Sequence, residues 1–126
     1  MSTATRYIEY LQSKIQEVLD NEIPNIEKAA QLMTESCLKG GRIYVFGSGH
    51  SHLIAEEMYV RAGGLTMVHA ILPPEMSLVN NMVLKSTLLE RLDGYASALL
   101  ELYQLDEKDT LMVVSNSGRN AVPVEM

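Results

Sequence analysis

At 126 residues the chain has the length of one domain, and its 47% hydrophobic and 21% charged residues are typical of a folded rather than a disordered protein. Its formal net charge of −6 at pH 7 argues against binding to nucleic acid or to an anionic membrane through bulk electrostatics. The N-terminus does not resemble a secretory signal, no apolar run is long enough to cross a membrane, and the single cysteine, Cys37, cannot form an internal disulfide. We therefore expect a cytoplasmic protein with neither a nucleic-acid nor a membrane partner.

The first forty residues predict two helices. Apolar residues recur at the spacing of one helix face from Thr5 to Asn21, and Pro24 then interrupts the pattern. A second helix is predicted from Asn25 until the Gly40-Gly41 pair stops it, as glycines do at helix C-termini. Residues 1–40 are thus a predicted helical lead-in to the rest of one domain, 1–126.

After residue 41, short apolar runs alternate with helical patterns. Strands are predicted over 42–46, 65–72 and 110–114, and helices over 51–62 and 84–105, the second either continuous or broken near Gly94. Residues 75–82 fit neither pattern. The alternation indicates parallel strands joined by right-handed crossovers, so that 41–126 is a predicted β-α-β-α-β core. A last helix begins near Asn120 and the sequence stops within two turns, from which we expect a domain truncated at its C-terminus.

Two loops rich in glycine and serine follow the first and third predicted strands. Gly47-Ser48-Gly49-His50-Ser51-His52 follows the first, and Ser115-Asn116-Ser117-Gly118-Arg119-Asn120 follows the third. Ligands of open parallel sheets bind beyond the carboxyl ends of the strands, where glycines let the main chain approach an anion and serine hydroxyls and helix N-termini donate to it. Either loop alone could be a tight turn, but together they predict one phosphate site. Neither is a P-loop or a dinucleotide fingerprint.

The two loops resemble the signatures of a known family. Phe46-Gly47-Ser48-Gly49-His50-Ser51 resembles the first loop of sugar isomerase (SIS) domains, and Val113-Val114-Ser115-Asn116-Ser117-Gly118 resembles their second signature, a strand that ends in Ser-x-Ser-Gly. Within that superfamily the chain is most similar to small phosphosugar-binding proteins of the phosphoheptose-isomerase-like kind. The resemblance implies an α/β fold, a three-layer α/β/α sandwich around a flavodoxin-like parallel sheet of five strands, assembled as a homo-oligomer (dimer or tetramer). A complete domain of this kind would continue beyond Met126.

The resemblance also implies the ligand, a small-molecule sugar phosphate, and the residues that bind it. These are Ser48, Gly49, Ser51, Ser115, Asn116 and Ser117. The hydroxyl groups of Ser51, Ser115 and Ser117 are expected to hold the phosphate. Ser48 and Asn116 are expected to line the same pocket.

The candidates for acid–base catalysis are Glu57, Glu75 and His50. Aldose–ketose isomerisation needs a base that moves a proton between adjacent carbons and an acid that serves the carbonyl oxygen. Glu57 follows the first loop but could equally lie on a solvated helix face. Glu75 lies where related domains carry a glutamate near the sugar, and His50 is next to the expected phosphate. Glu90 could face either way. We predict no cofactor and no metal, because His50 and His52 lack a convincing third ligand.

The sequence therefore predicts a phosphosugar-binding SIS-domain protein, with aldose–ketose isomerisation of a sugar phosphate as the first functional hypothesis. The alternative is a non-catalytic module that senses a sugar phosphate with the same pocket. An ether lyase acting on a cell-wall sugar phosphate fits less well, because the long serine-glycine loop of that group is not matched. The sequence leaves both of the first two hypotheses open.

Overall fold

The computed structural model describes residues 1–78 and 83–126. The chain divides into two compact units, residues 1–35 and residues 36–126. Of the stretch 75–82, which fits neither a helix nor a strand pattern in the sequence, residues 79–82 lie outside the described part. Just before them, Pro74–Met76 form a single 3₁₀ turn.

The first unit consists of helix α1, Thr3–Asn21, and most of helix α2, Ile23–Leu38. Ser2 caps α1 by accepting a hydrogen bond from the main-chain N–H of Thr5 at 3.1 Å. Pro24 lies in the first turn of α2, where its missing N–H leaves no helical hydrogen bond unmade. No residue of α1 is buried, so its apolar face is exposed along the whole helix.

The second unit is built on a parallel sheet of three strands. They are β1, Ile43–Gly47, β2, Val68–Ile71, and β3, Thr110–Val114. The strand order is β2-β1-β3, so that β1 lies in the centre with both neighbours parallel to it. All five residues of β1 are buried, as expected for a nearly continuous apolar run in a parallel sheet. The predicted α/β fold is confirmed.

The core of this unit combines side chains of β1 and β2 with those of helices α5, Tyr95–Tyr103, and α6, Ala121–Glu125. Its buried members are Tyr44, Phe46, Ile71, Met76, Ala96, Leu99 and Val122. Helix α3, His52–Met58, contacts all three strands, and its Ala55 is fully buried. These helices give the sheet the apolar cover that parallel strands require.

Three boundaries differ from the sequence-based predictions or decide between alternatives. Helix α3 ends at Met58 and not at residue 62, because Val60 takes a left-handed φ of 44°, which a helix cannot contain. Strand β2 begins at Val68 and not at residue 65, since a turn leads into it. The long predicted helix is broken at Gly94, where φ is 79°, a conformation that glycine adopts without strain. Helix α4, Val83–Leu89, precedes the break and α5 follows it.

Candidate functional site

The two glycine-serine loops start side by side at the carboxyl edge of the sheet. β1 and β3 are neighbouring strands, and Gly47, the last residue of β1, pairs with Val114, the last residue of β3. Both loops therefore leave the sheet at the same level. This is the edge at which open parallel sheets bind their ligands.

A cavity of about 510 Å³ lies between the two loops. Its volume falls within the range of small-molecule sites, ~300–1,000 Å³. The described lining residues come from both loops, from α4 and from the segments that flank it. They are Ser48, Gly49, His50, Ser51, Leu78, Ser86, Thr87, Glu90, Ser115, Asn116, Ser117 and Asn120. Nearly all of them are polar, so the cavity suits a hydrophilic ligand.

The first loop is supported from behind by a buried histidine. A 3₁₀ turn over Gly49–Ser51 starts with Gly49 at a φ of 57°. Behind this turn His52 is 2% exposed, with Nδ1 3.3 Å from the carbonyl oxygen of Gly47 and Nε2 3.4 Å from Oε1 of Glu56. Because a carbonyl oxygen can only accept, Nδ1 carries the proton in this contact. His52 thus holds the end of β1 in place, and it is not one of the described residues that line the cavity.

The second loop is a turn closed by Ser115. The Oγ atom of Ser115 accepts a hydrogen bond from the main-chain N–H of Gly118 at 3.0 Å, which leaves the hydroxyl proton of Ser115 available for a ligand. Asn116 and Ser117 are exposed, and their main-chain N–H groups have no main-chain acceptor among the described residues. The loop therefore offers both hydroxyl and main-chain donors. The helix that follows this loop, α6, has only five residues, so its dipole adds little to these donors.

The wall opposite the loops is formed by α4 and the residues just after it. Ser86 is buried, and its hydroxyl donates to the carbonyl oxygen of Met76 at 3.1 Å. Glu90 lies one turn further on and accepts a hydrogen bond from the hydroxyl of Ser48 at 2.8 Å, through Oε2. Sequence reasoning left the direction of Glu90 open. The available signal was the polar stripe of Ser86, Thr87 and Glu90, whose spacing puts them on one side of a helix.

The residues predicted from the sequence fall into two groups. The six expected ligand-binding residues and His50 all line the cavity, and their roles in binding and catalysis stay predictions. Glu57 and Glu75 are not among its described lining residues. Glu57 is exposed on α3 and forms an ion pair with Arg61, which corresponds to the solvated helix face considered as its alternative.

Glu75 is tied to the start of α5. It lies in the 3₁₀ turn Pro74–Met76 and accepts a hydrogen bond from the hydroxyl of Tyr95. This hydrogen bond is the main cause that lowers the pKa of the Glu75 carboxyl. Burial, followed by the same hydrogen bond, raises the pKa of Tyr95 to about 12. A carboxylate whose pKa is depressed is a weak base, so this geometry suits a structural tie better than proton transfer.

The cavity carries little charge. Among its described lining residues Glu90 is the one carboxylate, and none is a lysine or an arginine. A phosphate in this cavity would be held by hydroxyl and N–H donors and not by an ion pair. Hydrogen bonds of this kind, in which the acceptor is charged, are stronger than those between neutral groups.

Within residues 1–78 and 83–126, no three histidine, cysteine, aspartate or glutamate side chains cluster closely enough to hold a metal ion. None of the helices found there combines the length and the apolar character needed to cross a membrane. Cys37 is a free thiol of intermediate exposure.

Comparison with known proteins gives the same family that the two loops suggest. The model of the SIS domain matches residues 6–126. A UPF0309 protein of Halalkalibacterium halodurans is 51% identical over 125 residues, which cover 99% of this chain and 51% of that protein. UPF0309 proteins of Caldanaerobacter subterraneus and Streptomyces coelicolor are 41% and 43% identical, over 94% and 89% of this chain and 48% and 45% of their own length. The chain thus spans about half the length of the curated relatives it matches. It belongs to the SIS domain family.

Proposed function

We propose that the cavity between the two loops binds a phosphorylated sugar. The observation that carries the proposal is the convergence of two serine-containing loops, from neighbouring parallel strands, on one polar cavity. The hydroxyls of Ser51, Ser115 and Ser117 and the free main-chain N–H groups of the second loop are the phosphate donors. Phosphosugar binding is also the general property that membership of the SIS family supports.

The activity we propose is aldose–ketose isomerisation. A base removes the proton from C2 of the aldose while an acid protonates the carbonyl oxygen at C1, and an enediol forms. The O2 proton then leaves as C2 becomes the carbonyl carbon, and a proton is returned to C1. The isomerisation involves no net oxidation or reduction and needs neither a metal nor a cofactor. Among the described residues that line the cavity, the His50 imidazole and the Glu90 carboxylate are the side chains able to move these protons.

The second candidate function is sugar-phosphate sensing without turnover. It is favoured by one observation: two of the three predicted acid–base residues, Glu57 and Glu75, are engaged with Arg61 and Tyr95 and are not among the described residues that line the cavity. A binding module needs only the phosphate donors and a shaped pocket. The two functions therefore share the ligand class and differ in proton transfer.

One experiment separates them. The chain, and in parallel the full-length relative from Halalkalibacterium halodurans, is incubated in D₂O with pentose, hexose and heptose phosphates. Isomerase activity is seen by NMR as conversion together with deuterium at C1 or C2, and binding is measured by calorimetry. We expect at least one sugar phosphate to bind and to exchange. Binding without exchange by either protein would favour the sensor, and absence of any binding would overturn the proposal.

Assembly and location complete the proposal. We propose that the protein acts in the cytoplasm as a dimer or larger homo-oligomer. The exposed apolar face of α1 supports the homo-oligomer. The single free cysteine accords with a reducing compartment.

A further inference from the structure

We propose that the cavity has two chemically different ends: a phosphate end at Ser51 and the second loop, and a sugar end at the Ser48–Glu90 pair. We infer further that the sugar end rejects ligands that carry a second anionic group. This inference rests on the proposed function, because it assigns an orientation to the phosphosugar in the same cavity. It predicts the class of ligand more narrowly: monophosphates of sugars whose other end is neutral.

Hydrogen bonds of its side chain and of its main chain hold Glu90 in place. Its carboxylate accepts from the Ser48 hydroxyl of the first loop at 2.8 Å. Its main-chain carbonyl accepts from the N–H of Val122 at 3.0 Å, and Val122 is a fully buried residue of α6, just after the second loop. Its own N–H donates to the carbonyl of Ser86 at 3.0 Å. The main chain of Glu90 is therefore fixed, and moving its carboxylate away from Ser48 would break a hydrogen bond.

Ser48 differs from the other serines of the site. A hydroxyl group has one proton to donate, and Ser48 already donates it to Glu90. A phosphate, which only accepts when fully ionised, gains nothing from this oxygen unless the bond to Glu90 breaks. In the second loop, by contrast, the Ser115 oxygen accepts from Gly118 and keeps its proton for a ligand. Ser48 and Ser115 thus offer opposite hydrogen-bonding character to the cavity.

Charge reinforces this division. No lysine, arginine or histidine of the described chain forms an ion pair with Glu90, so its negative charge is not neutralised by a neighbour. In a half-buried site, like charges repel more strongly than they do in water. The phosphate is therefore driven to the end away from Glu90. The part of the ligand that faces Glu90 must supply hydrogen-bond donors, and the hydroxyl groups of a sugar do so.

The test compares pairs of probes that differ by one anionic group at the end remote from the phosphate. Glucose 6-phosphate is paired with 6-phosphogluconate, and fructose 6-phosphate with fructose 1,6-bisphosphate; inorganic phosphate is the fifth probe. Affinities are measured by calorimetry for the unmodified chain, Glu90→Gln and the control Glu101→Gln. Glu101 is exposed on α5 and outside the described cavity lining, so the control removes the same charge elsewhere.

We expect the unmodified chain and Glu101→Gln to prefer, by about tenfold or more in at least one pair, the sugar that carries only one anionic group. Glu90→Gln should reduce that preference to about threefold or less. High ionic strength should weaken the preference of the unmodified chain. Inorganic phosphate should bind Glu90→Gln at least as well as the unmodified chain, because a repulsive charge has gone.

Two results would overturn the inference while leaving the proposed function intact: sugar phosphates that bind with no preference within either pair, or a preference that Glu90→Gln leaves unchanged. A loss of inorganic phosphate binding in Glu90→Gln would also overturn it, since Glu90 would then serve to hold the loops. If the unmodified chain binds neither phosphate nor any of the four sugar phosphates, the proposed function fails and the inference fails with it.

Discussion

The hydroxyl group of Tyr95 donates a hydrogen bond to the carboxylate of Glu75. This hydrogen bond links the 3₁₀ turn Pro74–Met76 to the first residue of α5. Because Ser86 of α4 also donates to the carbonyl oxygen of Met76, the turn is fastened to both helices that follow it. The segment that approaches the cavity wall is thus positioned by side-chain hydrogen bonds as well as by apolar packing.

Replacing Tyr95 by phenylalanine should destabilise the fold in a pH-dependent way. The pKa of Glu75 is lower in the folded chain than its ordinary value of 4.5. The pairing therefore stabilises the fold above that value, and the contribution is lost as the pH falls through the folded pKa. We expect Tyr95→Phe to lose about 1 kcal/mol of unfolding free energy at pH 7, the low end for a hydrogen bond to a charged group because the pair is partly exposed. The difference should shrink as the pH falls below 4.5.

Urea denaturation at pH 7, 5 and 3 measures this, with Tyr7→Phe on the exposed surface of α1 as the control. A loss for Tyr95→Phe that is the same at all three pH values would contradict the role of the Glu75 charge. In the unmodified chain the pKa of Tyr95 is raised to about 12, so the stability of the fold should also depend on pH in the alkaline range. The contribution of Tyr95 to the free energy of unfolding is complete below the tyrosine's ordinary pKa of 10.0 and is lost as the pH rises toward 12.

The double change Ser115→Ala and Ser117→Ala should weaken sugar-phosphate binding by well over tenfold. Each hydroxyl that donates to a charged oxygen contributes about 1.5–3 kcal/mol. Removal of the Ser115 Oγ also deletes the acceptor for the N–H of Gly118, which loosens the turn. Calorimetry with the preferred sugar phosphate gives the affinities. Ser97→Ala, on the exposed side of α5, should bind like the unmodified chain, and an unchanged affinity in the double variant would refute the assignment of these serines.

Gly47→Ala should be far more damaging than Gly40→Ala. A Cβ atom at Gly47 would lie well inside contact distance of the Ser51 carbonyl, whereas at Gly40, with a φ of 78°, it would meet no heavy atom within 4 Å. Gly40→Ala should therefore cost only the strain of a left-handed alanine, about 1–2 kcal/mol. For Gly47→Ala we expect a loss of about 3 kcal/mol or more, because the first loop must move. Denaturation midpoints compare the two, and equal losses would show that the loop yields easily.

The protein should be at least a dimer at micromolar concentration. The apolar face of α1 is exposed, and its members are Tyr7, Ile8, Leu11, Ile15, Val18 and Leu19. Exposed faces of this kind mark interaction surfaces. Light scattering should give a mass of at least two 14.0 kDa chains, and Ile15→Glu should lower it. Ser13→Glu, which adds the same charge on the opposite side of the helix, should not; a monomeric unmodified chain would rule the prediction out.

The parts of the fold that the sequence predicts well are those set by local patterns. The run Ile43–Phe46 is apolar, ends at a glycine and forms the central strand. The break at Gly94 was open in the sequence, because a glycine within a helical pattern is tolerated or not according to its surroundings. The early end of α3 could not be predicted, since Val60 is β-branched and a left-handed φ runs against the preference of such a residue.

The candidate site shows the same division. Its loop residues follow strand ends and can be found from sequence. For Glu90 the polar stripe with Ser86 and Thr87 indicates a shared helix face, but not the contact with Ser48. That contact joins residues distant in the chain, and no local pattern reports where a helix lies relative to a loop. Glu57 and Glu75 were selected by closeness to the loops in sequence or by resemblance. Their partners, Arg61 and Tyr95, draw both side chains to other contacts.

The pairing of β1 with β3 has a consequence for folding. Ile43 is opposite Thr110, far along the chain, and the two loops exist as one site only after this long-range pairing has formed. Contacts of high sequence separation form against a large loop-closure entropy and are slow to appear. A ligand held by both loops can therefore bind only the folded chain, and it stabilises that chain in proportion to the logarithm of its concentration. A shift of the melting temperature on addition of ligand would then report the pairing of β1 with β3, and bound ligand would lower the fraction of unfolded chain that is open to proteolysis.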